Sequence, residues 1–401
     1  MSWSHTQLAE LAEVITKGTT PTTIGHEFTE TGIPFLRVQN IAGGKVNFER
    51  DTLFIDERTH ETLSRSRIRP GDLLVSIAGS IGRAGIVPMG APALNCNQAV
   101  AIVRPKEKVY RPFLRFWIES SGAQQQIRNS TVTGTISNLS LSQLSNLQIP
   151  LPPLAEQRRI AEVLDKAEAL RAKRRAALAQ LDSLTQSLFL NLFGDPDTKG
   201  WPMTDIAGVV NEDHGGIRTG PFGSQLLHSE FTAEGIAVLG IDNAVANEFR
   251  WGERRFISEA KYRQLKRYTV RPGDVLITIM GTCGRCAVVP DDIPPAINTK
   301  HLCCITLDSS KCLPIFLHAY FLRHPTALRY LSQTAKGAIM SGLNMGLIKG
   351  MPIPLPPISL QREFARRVTA VEKLKTAQRA ALAELDGLFA SLQHRAFRGE
   401  L

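Results

Sequence analysis

The chain has 401 residues, with 47 Lys and Arg against 37 Asp and Glu and a formal net charge of +10. Hydrophobic residues make up 43% and charged ones 21%, and the mean hydropathy is −0.07, which excludes a disordered chain. No run of about 18 apolar residues occurs and MSWSHTQLAELAEV is no secretory signal, so a cytoplasmic protein without membrane attachment is expected; the positive balance favours a polyanionic partner.

In chain order, the segment 1–150 reads as a globular α+β domain. Gly18 and Pro21 punctuate an early turn, and GIPFLRVQNI starts at Gly32. Phe54-Ile55 reads as a strand. Arg69-Pro70-Gly71-Asp72 is a turn signal that opens the β-rich run DLLVSIAG. Ala101-Ile102-Val103 reads as another strand, and YRPFLRFWIESSGAQQQIR from Tyr110 as helix. At Ile149 the chain reads I-P-L-P-P. From about Ala155 to Leu192 it then has neither Pro nor Gly and is rich in good helix formers.

The same order recurs about 200 residues later. RPGDLLVSIAGSIGRAGIVP from Arg69 answers RPGDVLITIMGTCGRCAVVP from Arg271, identical at eleven of twenty positions. GIPFLRVQNI answers GIAVLGIDNA from Gly235, and Ile149 to Leu164 answers IPLPPISLQREFARRV from Ile353. A repeat of this length is a duplicated domain and not a solenoid unit. The expected organisation is a globular domain over 1–150, a helix over 151–193, a second globular domain over 194–352 and a C-terminal helix over 353–401.

Both helices carry alternating 4–3 spacing. Val163, Ala167, Leu170, Arg174, Ala177, Leu181, Leu184 and Leu188 form the first seam. Val371, Leu374, Gln378, Ala381, Leu385, Leu388 and Leu392 form the second. Arg174 and Gln378 put one polar residue at matching places, a device that pins register. The fold class is therefore α+β, with two tandem pseudo-symmetric domains separated by two long antiparallel coiled-coil helices. A helix of this length spans roughly 57 Å, about one and a half turns of duplex at ~34 Å per turn. Two equivalent helix–junction units imply a partner bound in two copies.

The tandem halves, the I-P-L-P-P-x-x-x-Q-R junctions, the Phe193-Gly194-Asp195-Pro196…Gly200-Trp201 linker and the RPGDLLVSIAGSIG run resemble the specificity (S) subunit of type I restriction–modification systems. The resemblance covers essentially the whole chain. It implies two target recognition domains, each reading half of a bipartite site in double-stranded DNA. It implies that the helices set the spacer and dock two modification (methyltransferase) subunits, through which restriction subunits join. S-adenosylmethionine then belongs to the methyltransferase, ATP and Mg to the restriction subunit, and no cofactor to this chain. One departure is that Glu156 in the first junction has no acidic counterpart in Ile358-Ser359-Leu360-Gln361-Arg362. A second is the glycine-rich run from Gly215 to Ser224.

No catalytic constellation is found: no phosphate-binding loop, no dinucleotide fingerprint, no H-E-x-x-H and no nucleophile elbow. No catalytic residue is assigned. Cys283 and Cys286, then His301, Cys303, Cys304 and Cys312, permit a zinc reading. The repeat places Cys283 and Cys286 against Ile81 and Ala84, and Cys303 and Cys304 against Val100 and Ala101, so buried thiols replacing apolar residues are favoured and no metal ligand is assigned.

DNA-contacting residues are sought on loops, where Arg reads guanine and Asn or Gln reads adenine. In the first domain these are Lys17, Thr19 and Thr20, then Arg37, Gln39 and Asn40, then Ser80 and Arg83. In the second they are Arg218, Thr219 and Ser224, then Asp242 and Asn243, then Thr282 and Arg285. Plain turn chemistry competes with this reading at every one of them. Positions that differ between the halves, such as Arg37 against Gly240 and Gln39 against Asp242, are the better candidates. Asn95 against Asn298 illustrates a shared position. Thr133 to Ser137 and Lys336 to Met340 are further loops facing either DNA or solvent. Arg65, Arg67 and Arg69, and Arg254, Arg255, Lys261, Arg263, Lys266 and Arg267, are candidate phosphate contacts. The competing function is a coiled-coil adaptor that binds protein and reads no DNA; salt dependence of DNA binding separates the two.

Overall fold

The computed structural model describes residues 3–130, 138–194, 199–335 and 343–401. The loops Thr133 to Ser137 and Lys336 to Met340, and Asp195-Pro196 of the linker, lie outside them. The chain divides into two units, Met1–Ala176 with Arg379–Leu401, and Ala177–Gln378.

Among the described residues of the first unit, six strands form one sheet. Its order is Ala12–Lys17, Val100–Pro105, Leu73–Ser76, Ala84–Ile86, Gly44–Val46, Ile41–Ala42. A four-stranded sheet holds Leu53–Ile55, Ile33–Leu36, Leu94–Cys96 and Arg67–Ile68. The helices Arg111–Ile118 and Ser121–Ser130 cover the larger sheet's apolar face. In the second unit the matching sheets hold Ile217–Thr219, Leu302–Ile305, Val275–Thr278 and Cys286–Val288, and, in the other, Phe231–Thr232, Phe256–Ile257, Ile236–Leu239, Ala296–Asn298 and Thr269–Val270. Its helices are Pro314–Arg323 and Pro325–Ala335.

The Arg-Pro-Gly-Asp turns work alike in both units. Asp72 accepts from Arg69 N at 2.8 Å and Asp274 from Arg271 N at 2.9 Å, while Gly71 and Gly273 supply φ of 82° and 79°. Each Asp is almost fully buried and held by an arginine, but from different strands. Arg104 grips Asp72 with Nε and Nη2, both at 2.8 Å. In the second unit Thr306 stands at the Arg104 place, and Arg218 from the neighbouring strand reaches Asp274 at 2.7 Å.

The long helices are Leu154–Phe193 and Ile358–Ala396. Each contributes a segment to both units. In the first unit Arg171 bonds Glu168 at 2.9 Å and, across the helix pair, Asp386 at 2.6 Å. In the second, Lys375 bonds Glu372 and, across the pair, Asp182, both at 2.8 Å. These six residues match pairwise through the repeat, so one antiparallel arrangement is built twice. The aromatic anchors repeat as well: Phe397 packs on Phe113 at 5.4 Å and Phe193 on Phe316 at 4.8 Å.

The inward line differs from the expected seam. It runs through Gln157, Leu164, Arg171, Leu178 and Thr185 with Leu181 and Leu188, and through Gln361, Phe364, Val368, Val371, Lys375 and Leu385 with Leu392. Leu170 is 50% exposed and Leu374 54% exposed, and Val163 is half-buried. Arg174 is exposed and Gln378 half-buried. Alternate places of the expected seam are off by one residue. The expectation follows Leu170, Leu184 and Leu374, whereas the chain turns their neighbours Arg171, Thr185 and Lys375 inward. Polar residues can occupy a seam when their polar atoms are matched.

Gln157 and Gln361, at the start of each line, meet that condition. Gln157 Oε1 accepts from Tyr110 N at 2.8 Å, and its Nε2 donates to Pro152 O at 2.9 Å and Lys108 O at 3.3 Å. Gln361 repeats this with Leu313 N at 2.9 Å, Pro356 O at 3.0 Å and Lys311 O at 3.0 Å. The junction glutamine therefore clamps the start of each long helix to the globular part.

Candidate nucleic-acid interface

Two loops per unit present side chains from rigid backbone. In the first unit Ser76 Oγ donates to Ser80 O at 2.5 Å and accepts from Arg83 N at 2.9 Å. Thr278 does the same for Thr282 O and Arg285 N, at 2.5 and 2.9 Å. Gly79, Gly82, Gly281 and Gly284 take φ of 71°, 83°, 70° and 79°, so their role is to shape the loop. Ser80, Arg83, Thr282 and Arg285 are exposed on this frame, with backbone fixed and side chains outward.

The second loop follows Gly18 and Gly220. A Cβ on either would lie 2.0 Å from the Cys96 or Asn298 carbonyl oxygen, so the chain can pass only as glycine. Thr20 donates to Gln98, and Lys17 is exposed beside them. In the second unit Pro221, Phe222, Gly223 and exposed Ser224 take this place. A concavity of about 850 Å³ opens there between the Gly220 loop, the Gly240–Val245 turn and the Thr299–His301 loop. Asp242, Arg255 and His301 line it. Asp242 is paired to Arg255, yet Asp242 Oδ2, Arg255 Nε and Thr299 Oγ1 are buried without a hydrogen-bond partner among the described residues. Partial burial, then Lys300 and Arg255 nearby, hold His301 below its ordinary pKa, so the ring is neutral and able both to donate and to accept.

Several sequence candidates have structural duties instead. Arg218 is 9% exposed in its side chain and spends its guanidinium on Asp274, Thr306 Oγ1 and Thr269 O. Thr219 is half-buried in a strand opposite Cys303. Asn40 and Asn243 are buried turn residues: Asn40 Oδ1 accepts from Arg37 N and Asn243 Oδ1 from Gly240 N, both at 2.8 Å. Arg37 is half-buried and donates to Asp51 O at 3.1 Å, while Gln39 is exposed. Lys261 is paired with Glu230 at 2.7 Å. Gln98 was missed by the sequence reading, which weighed His301 only as a zinc ligand; their place beside the glycine turn follows from strand pairing that spacing alone does not reveal.

Sheet register also corrects the cysteine alignment. Cys303 faces Ile277 as Ala101 faces Val75, so Cys303 and Cys304 match Ala101 and Ile102. Asn298 matches Cys96, not Asn95, because each lies against its unit's glycine turn. Burial pushes the Cys303 and Cys312 thiols up to about 12 and raises Cys96, Cys286 and Cys304 further. Among the described residues no group of three or more His, Cys, Asp or Glu is placed to hold a metal ion. None of their helices is long and apolar enough to cross a membrane.

The profile of the type I restriction modification DNA specificity domain matches residues 2–180 and 238–385. The chain is 27% identical over 404 residues to the type I restriction enzyme EcoBI specificity subunit of Escherichia coli, covering 92% of this chain and 80% of that one. It is 23% identical over 407 residues to the EcoKI specificity subunit of Escherichia coli K12, covering 92% and 82%. Among solved structures, it resembles a chain of a type I R-M system studied for its complex assembly, with TM-score 0.59, 21% identity and coverage of 100% and 98%. It also resembles the S subunit of the type I system from M. genitalium, with TM-score 0.57, 15% identity and coverage of 99% and 96%. With the profile matched over most of its length and twice along it, the chain belongs to the type I restriction–modification specificity subunits.

Proposed function

We propose that this chain reads a bipartite DNA sequence for a type I restriction–modification complex and performs no chemistry itself. The carrying observation is the pairing of identical loop frames with different outward residues. Ser80 stands where Thr282 stands, each near an arginine common to both units, Arg83 and Arg285, Gln39 where Asp242 stands, and Thr20 with Gln98 where Phe222 and Lys300 stand. A shared frame with divergent tips is what two readers of different half-sites need.

The long helices act as the spacer between half-sites and as the docking surface for two methyltransferase subunits. Support for docking comes from leucines left exposed at repeat-matched places: Leu170 and Leu388 in the first unit, Leu184 and Leu374 in the second. Each precedes a seam residue, so each unit offers an apolar pair beside its own ion-pair cluster, suited to an amphipathic partner helix. S-adenosylmethionine is bound by the methyltransferase subunits, and ATP with Mg by restriction subunits that join through them, in the cytoplasm. Comparing the methylated sites of the host genome with and without this gene tests the reading. Loss of one bipartite motif is expected, and an unchanged pattern refutes it. Methyl transfer or cleavage by the isolated chain supplied with S-adenosylmethionine, Mg and DNA contradicts the non-catalytic role.

A further inference from the structure

The two units solve the buried Asp72/Asp274 problem differently, and the difference leaves a vacancy. Thr16 pairs with Ile102 in the first unit as Arg218 pairs with Cys304 in the second. Both are on the same place of the sheet, since Ile102 faces Leu74 and Cys304 faces Leu276. In the second unit the Arg218 guanidinium crosses to Thr269 O and Thr306 Oγ1. The matching residues in the first unit are Arg67 and Arg104. Thr16 is too short to cross, and a cavity of about 510 Å³ lies there, walled by Thr16, His60, Arg65, Arg67, Arg69 and Arg104.

The cavity is rich in uncompensated positive charge. Arg104 is neutralised by Asp72. Arg65, Arg67 and Arg69 are exposed and form no ion pair with a carboxylate among the described residues. Arg67 Nε donates to His60 O at 3.2 Å, which orients the side chain and leaves its Nη groups for a ligand. Among the described residues no carboxylate lines the wall. Guanidinium forks converging on one space match the oxygens of a phosphate group.

We propose that this cavity is a phosphate-binding site present in the first unit only, its counterpart in the second being filled by Arg218. The phosphate arrives either from the DNA backbone or from a free phosphate compound. The site does not depend on the DNA-reading role, because the free compound can be tested alone.

The test uses the full chain and a double substitution, Thr16→Arg with Arg104→Thr, which installs the second unit's arrangement at unchanged net charge. Calorimetric titration with pyrophosphate gives one arm; the salt dependence of duplex binding gives the other. The free-compound source is supported if wild type binds pyrophosphate and the double variant binds at least about tenfold more weakly. The backbone source is supported if the double variant's log–log salt slope is shallower by about 0.9, one phosphate's worth. No difference in either arm overturns the proposal, including DNA binding that persists with an unchanged slope. Absence of duplex binding by wild type itself counts against the DNA-reading role and leaves the pyrophosphate arm decisive here. If the double variant does not fold, Arg67→Ala with Arg69→Ala, at exposed positions, gives the same two readouts.

Discussion

Replacing Gln157 by Met removes the clamp between the first long helix and its globular part while nearly keeping side-chain length. Three hydrogen bonds go, to Tyr110 N, Lys108 O and Pro152 O. Gln157 is 1% exposed, so the abandoned groups are poorly placed to recruit water. At about 1 kcal/mol per bond the loss is about 3 kcal/mol. For a unit of roughly 200 residues that lowers the melting temperature by roughly 6–12 °C. Gln361→Met loses the matching bonds and should cost the second unit a similar amount. Calorimetry of the full chain measures the loss, and hydrogen exchange assigns each transition to a unit. A cost below about 1 kcal/mol for both variants, or destabilisation of the wrong unit, refutes the clamp.

His318 is half-buried, with Nε2 donating to Asn247 O at 2.9 Å and Cys286 O at 3.1 Å, and desolvation of the ring holds its pKa below 6.5. The unfolded chain takes up a proton near 6.5 and the folded one does not. The second unit is therefore fully supported above that pH and loses up to about 1.4 kcal/mol per pH unit as pH falls toward the folded value. His318→Gln should flatten this dependence in pH-series denaturation. A thiol reagent should label Cys283, which is half-buried, quickly in the native chain. The other five cysteines should label only on unfolding, as mass spectrometry can verify. A heptad inserted after Ala176 and another after Gln378 keeps the seam facing inward and adds about 10 Å of helix. Both helices must be lengthened because Arg171–Asp386 and Lys375–Asp182 fix their register. Methylation mapping should then find the gap between half-sites wider by up to about three base pairs at ~3.4 Å each.

Much of the architecture was legible because the chain writes it twice. The RPGD turns, the strands after them, the proline punctuation and the helices at 154–193 and 358–396 follow from local chemistry that acts within a few residues. The seam frame was not legible, because it depends on polar residues whose partners lie on another segment: Arg171 belongs there through Asp386, and Lys375 through Asp182. The candidate interface was legible in outline only. Sequence placed Ser80, Arg83, Thr282 and Arg285 on loops, where they are. It could not distinguish Gln39, which points outward, from Asn40, which is consumed in shaping the turn. Arg218 misled for the same reason: its partner Asp274 is 56 residues away along the chain.

The most direct test of two readers acting separately is to exchange residues 1–150 for the corresponding domain of another specificity subunit. The sites methylated by the assembled complex are then mapped. One half-site should change while the other half and the gap stay as they were. A change in both halves, or in the gap alone, contradicts the account.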